Sequence, residues 1–177
     1  MKLLALETCF GKYSIALFDG GKLLASIIST EDNKQAEQLV IEIEKILAQN
    51  NLSYSKLEAI AVCVGPGSFT GLRIGLAAAK GIALATGIKL IGVSSLVAAA
   101  QKKGGFPVYL NASRSEAFFQ ATATSEPELV PYNAEFDELA TAIEVGLVAL
   151  SPNAQILPPE PLYVRKPDAK LPSKQTA

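Results

Sequence analysis

The chain has 177 residues, 49% hydrophobic and 19% charged, a balance that predicts a globular protein with a proper core. Lys and Arg number 16 against 17 Asp and Glu, so there is no basic excess with which the chain alone would grip nucleic acid. It contains no histidine, which removes His-based triads, His-ligated metals and a histidine general base together.

No apolar run reaches the roughly 18 residues that a membrane span needs. Glu7 interrupts the apolar opening before a signal-peptide core forms, so the expectation is a cytoplasmic protein with no membrane contact. Cys9 and Cys63 lie in apolar stretches without CxxC spacing and read as reduced, buried thiols. No metal ligand set is expected.

In chain order, residues 2–8 read as a buried strand, followed by strands at 13–18 and 22–29. The turns between them are two to four residues long, which predicts antiparallel hairpins. From 34 to 49, Ala36, Leu39, Val40, Ile43, Ile46 and Leu47 follow the spacing of one helix face. A short helical turn is expected at 55–58, and AIAVCV at 59–64 has the continuous apolar pattern of a strand covered on both faces. A helix over 72–86, a strand over 88–93 and a helix capped by Ser94 or Ser95 and running to 102 come next. Three antiparallel strands followed by α/β crossovers predict a mixed five-stranded sheet with helices on its faces.

Gly104 and Gly105 suggest a lobe boundary, giving lobes at 1–103 and 104–166 and a flexible tail at 167–177. In the second lobe strands are expected at 108–111 and 117–122, a helix at 136–144 and a strand at 145–150. Six prolines from Pro152 onward predict an extended strap.

GPGSFTGLRIGLAAAKGIALATG, starting at Gly65, is the most informative stretch. Gly65, Gly67 and Gly71 permit tight turns and close backbone approach. Ser68 or Thr70 would cap the helix that follows, whose amides offer an anion site. The loop is not a Walker loop, because Leu72-Arg73 stands where Lys-Ser/Thr is required, nor is it a nucleophile elbow. Anion binding and a purely structural turn both remain open. Gly75, Ala78, Ala79, Gly81, Ala83 and Ala85 make a helix of small residues that packs closely on either the sheet or a partner. Arg73, in the first turn, pairs with a carboxylate or meets something anionic.

These residues strongly resemble the TsaB (YeaZ) family. LLALETCFGKYSIALF is similar to its opening strands, and GPGSFTGLRIG followed by GVSSL matches its signature almost letter for letter. NASRSEAFF and PLYVR resemble its later segments more loosely. The resemblance implies an α/β, actin-like ATPase (ribonuclease H-like) fold with a reduced second lobe. It implies a non-catalytic subunit that binds and activates the paralogue TsaD and works with the ATPase TsaE. Together they form threonylcarbamoyladenosine at position 37 of ANN-decoding tRNAs, with tRNA met only through the complex. The family also forms homodimers.

The implied partner surface is the helix pair, through Ala36, Leu39, Val40, Ile43, Leu72, Gly75, Leu76 and Ala79. Leucine at 75 or 79 is accordingly expected to harm partner binding more than folding. Gly65, Gly67, Ser68, Thr70, Gly71 and Arg73 are the candidate contacts for an anion or nucleotide. No cofactor is expected to be tightly bound, leaving ATP or ADP with magnesium at the partner interface. Glu7 replaces the first-strand Asp of the superfamily's ATPases, and Asn111 and Ser115 stand where the family writes Asp and Gly. These departures count against independent nucleotide chemistry.

Three rivals follow. A phosphotransferase or ATPase on the same fold would use Glu7, Asp19 and the glycine loop. A metalloprotease of the M22 type is disfavoured by the absent histidine. A homodimeric module unrelated to tRNA would use the same helix pair.

Overall fold

The computed structural model describes residues 1–164. The tail expected at 167–177 lies outside them, as do the last two residues of the expected second lobe. The elements are β1 (Lys2–Phe10), β2 (Lys12–Asp19), β3 (Lys22–Ile28), α1 (Gln35–Gln49), β4 (Ala59–Cys63), α2 (Phe69–Thr86), β5 (Lys89–Val93) and α3 (Ser95–Lys103). They continue as β6 (Val108–Ser113), β7 (Glu116–Gln120), β8 (Glu128–Pro131) and α4 (Ala142–Leu150). The helical turn expected at 55–58 is a 3-10 turn at Tyr54–Lys56.

The first sheet has the order β3-β2-β1-β4-β5. β1, β2 and β3 are antiparallel, whereas β4 runs parallel to β1 (Leu3 beside Ala59, Leu6 beside Val62) and β5 parallel to β4. Parallel neighbours need a crossover, which α1 supplies between β3 and β4, and α2 between β4 and β5. This is the mixed five-stranded sheet, with crossover helices, that the sequence predicts.

Side chains alternate along β1, so neighbouring residues serve opposite faces. Thr8 meets α2, with its Oγ1 donating to the Gly71 carbonyl at 2.8 Å. Glu7 pairs with Ser14 of β2, whose Oγ accepts from the Ala142 amide of α4 at 2.8 Å. Helices thus cover both faces, which is why Leu3 to Leu6 and Ala59 to Val64 are all fully buried.

The second sheet, β6-β7-β8, is antiparallel and small. Its strand β8 was not expected; at four residues, ending in Pro131 and preceded by Pro127, it is too short for a visible alternation. The chain then returns to the first sheet. The helix expected at 136–144 and the strand at 145–150 are replaced by irregular chain and then α4. AIEVGLVAL is nearly all apolar, a pattern that does not separate a strand from a buried helix. Thr141 decides it: its side chain caps the first turn while Glu144 bonds back to the Thr141 amide at 2.7 Å. Val145 and Val148 join the main core. Beyond α4 the proline-rich strap crosses the edge of β5, where Gly92 and Leu157 exchange amide-to-carbonyl bonds of 3.0 and 2.8 Å.

Candidate functional site at the glycine loop and helix pair

The loop between β4 and α2 is clamped from several sides. The Ser68 amide donates to the Cys9 carbonyl at 2.7 Å, and the Ser95 hydroxyl donates to the Pro66 carbonyl at 2.5 Å. The Leu162 amide of the strap donates to the Val64 carbonyl at 2.8 Å. Of the two expected caps, Ser68 is used, accepting from the Gly71 amide at 3.3 Å. Thr70 lies inside α2, which therefore begins three residues earlier than its apolar pattern indicates.

A Cβ at Gly67 would sit 2.7 Å from the Cys9 Cβ and carbonyl oxygen, and one at Gly71 would run into the Thr8 carbonyl oxygen. Both glycines therefore serve close packing of the helix start against β1.

Arg73 meets an aromatic ring and a hydroxyl within the chain. Among the described residues no carboxylate pairs with it. Its guanidinium lies 3.7 Å above the Phe69 ring, and its Nε donates to the Tyr163 hydroxyl at 3.2 Å. Phe69 and Tyr163 stack with centroids 5.7 Å apart. The exposed cation thus ties the strap to the first turn of α2, a cation–π arrangement. Tyr163, ninety residues away, carried no sequence signal for this role.

A cleft of about 490 Å³ opens beside the loop, lined by Gly67, Ser68 and Phe10 on one side and Asn111, Phe118 and Asp137 on the other. Its acidic group is already engaged. Asp137 accepts from the Tyr109 amide at 2.8 Å and pairs with Lys103 at 2.8 Å. The Ser68 amide is likewise committed to Cys9. Of this lining, Asp137 and the Ser68 amide are therefore taken up within the chain.

The two carboxylates that the kinase reading needs are not brought together. Asp19 pairs with Lys2 at 3.3 Å, at the start of β1. Glu7 lies near its end, buried, with Oε1 accepting from the Cys9 amide at 2.5 Å. Burial pushes its pKa up to about 7, against the opposing pull of that hydrogen bond.

The expected partner residues divide sharply. Leu39, Ile43, Leu72, Gly75, Leu76 and Ala79 are buried in the fold itself. This corrects the surface assigned to them, because the regular apolar spacing marks the side facing the sheet. Ala36 and Val40 are exposed. The outward face also carries Ile41 on α1 and Phe69, Ala77, Gly81 and Leu84 on α2, with Leu84 89% exposed. Residues 77, 81 and 84 share one side of α2 by helical spacing. Among the described residues Gly81 has nothing within 4 Å of where its Cβ would be, so no contact among them explains this glycine.

A family model described as TsaD, tRNA N6-adenosine threonylcarbamoyltransferase, matches residues 22–124. The tRNA threonylcarbamoyladenosine biosynthesis protein TsaB of Escherichia coli is 35% identical over 101 residues, covering 57% of this chain and 43% of that protein. An uncharacterized protein of Mycobacterium bovis is 31% identical over 175 residues, covering 84% of this chain and 83% of that one. The chain spans about two-fifths of the length of the TsaB relative. A Pseudomonas aeruginosa crystal structure, described as an uncharacterized protein similar to peptidase YEAZ, superimposes with a TM-score of 0.79. It covers 93% of this chain and 99% of that one at 20% identity, a likeness of fold. No helix among the described residues is long and apolar enough to cross a membrane.

Proposed function

The chain belongs to the family whose model is described as TsaD, tRNA N6-adenosine threonylcarbamoyltransferase, and we propose that it is a TsaB (YeaZ)-type member, the non-catalytic partner subunit of a TsaD-type transferase. It binds and activates that enzyme in modifying position 37 of ANN-decoding tRNAs, together with a TsaE-type ATPase. The tRNA is met through the complex, in keeping with a formal charge of −1.

The observation that carries this reading is the outward face of α1 and α2. Val40, Ile41 and Leu84 stand exposed there, and Gly81 keeps a helix surface bare at a cost of about 1 kcal/mol relative to alanine. A glycine with no internal neighbour beside an almost fully exposed leucine suits close approach of a second helix. The same face suits a homodimer in the partner's absence. Any ATP or ADP with magnesium belongs to the shared interface, because the Ser68 and Gly71 amides of the loop are committed within the chain.

Reconstitution tests the proposal. The cognate TsaD and TsaE, threonylcarbamoyl-adenylate synthase, ATP, threonine, bicarbonate and an ANN-decoding tRNA are combined with and without this chain. Modified nucleoside, read by mass spectrometry, is expected only when the chain is present. Equal formation without it overturns the reading.

A further inference from the structure

The two cysteines of the chain lie 54 residues apart in sequence, on β1 and β4, and both are fully buried. The fold brings them together with the one buried carboxylate of the first strand. The Sγ atoms of Cys9 and Cys63 and a Glu7 carboxylate oxygen all lie within 4.8 Å of one another. We propose that Cys9, Cys63 and Glu7 form a structural site for a thiophilic divalent cation of the zinc class.

The donor set selects the ion. Two sulfurs and one carboxylate suit zinc, whereas magnesium and calcium want oxygen throughout. Tetrahedral zinc with bonds of about 2.3 Å to sulfur needs donors about 3.7 Å apart. Starting from 4.8 Å or less, side-chain rotation supplies the contraction. The carboxylate is already oriented: Glu7 Oε1 accepts from the Cys9 amide. In the metal-free fold the Cys9 thiol donates to the Cys63 carbonyl, with Sγ 3.8 Å from the oxygen.

Electrostatics argues the same way. Three acids share a buried pocket, and among the described residues no Lys or Arg pairs with Glu7. A buried anionic group without a cation is costly, and a dication bound to two thiolates and a carboxylate brings their summed charge from −3 to −1. The glycine loop closes over the pocket, since a Cβ at Gly67 would meet Cys9. The ligands come from two strands that become neighbours only on folding, so loading is coupled to folding. The proposal is independent of the partner role.

The test refolds the full chain from denaturant with zinc or with a chelator, then desalts it and measures metal by mass spectrometry. A parallel sample takes cobalt, whose thiolate charge-transfer absorption can come only from these two thiols. One equivalent of metal, the cobalt–thiolate band and a higher melting temperature in zinc are expected. The Cys9→Ala/Cys63→Ala double variant, checked for fold by circular dichroism, is expected to lose both metal and band. Glu7→Gln is expected to weaken binding about tenfold or more. A folded wild-type chain that takes up no stoichiometric metal overturns the proposal, as does bound cobalt without the thiolate band. Undiminished metal in a folded double variant does so too. If the double variant fails to fold, the wild-type metal content and band still decide.

Discussion

Thr8 of β1 stands where the side chain of residue 75 would otherwise be: a Cβ on Gly75 would run into the Thr8 Oγ1. That oxygen is held in place by its 2.8 Å bond to the Gly71 carbonyl. Gly75→Ala is therefore expected to destabilise the isolated chain by about 1–3 kcal/mol, the usual cost of overpacking, and Gly75→Leu to prevent folding. Urea denaturation measures this. Unchanged stability together with lost partner binding would return the position to the interface.

Gly81 is the opposite case on the same helix. With open space around its Cβ position, Gly81→Ala is expected to stabilise the monomer by about 0.5–1 kcal/mol. Gly81→Leu is expected to leave the fold intact and weaken binding to the TsaD-type partner at least about tenfold, or about 1.4 kcal/mol. Titration calorimetry against the partner, with melting curves alongside, separates the two effects.

Leu84, exposed at the C-terminal half of the same face, gives an independent check. Leu84→Asp should change stability by no more than about 0.5 kcal/mol, as surface substitutions usually do. It should still abolish co-elution with the partner on size exclusion. Normal co-elution would place the interface elsewhere.

In metal-free protein, Glu7 makes stability depend on pH. Its carboxyl has a pKa of about 7 when folded against an ordinary value of 4.5, so between these values the folded state binds more protons than the unfolded state. Stability is then full below about pH 4.5, falls as pH rises towards 7, and has lost about 3 kcal/mol above that. Urea titrations in chelator across this range should show the decline, and Glu7→Gln should flatten it. A wild-type profile as flat as the variant's would show that Glu7 titrates normally.

Thr141 is predicted to hold the start of α4. Thr141→Ala breaks the reciprocal bonds with Glu144 and should cost about 1 kcal/mol in urea denaturation. No change would mean that the Ser14 bond to the Ala142 amide suffices.

Much of the first sheet was legible because its signals are local. The two hairpins follow from short turns between apolar strands, and β4 follows from six consecutive apolar residues. α1 followed from its spacing. The start of α2 was missed because Phe69 and Thr70 look like loop, although Ser68 caps a turn already formed there. α4 was misread because burial against both sheet and α3 makes it apolar all round, erasing the helical period.

The site was less legible. The small residues of α2 were rightly singled out, but sequence could not say which side they serve. Gly75 and Ala79 face the sheet, while Ala77 and Gly81 face outward. By itself the sequence determined the mixed α/β class, the presence of a glycine loop before α2 and the family resemblance, because these depend on periodicity, turn chemistry and a contiguous motif. Only the tertiary structure decided which helix face is core, that Arg73 meets Phe69 and Tyr163, and that Cys9 and Cys63 converge on Glu7. The contacts of Arg73 with Tyr163 and of Cys9 with Cys63 join residues far apart in the chain, and their geometry exists only once the strands have paired and the strap has closed.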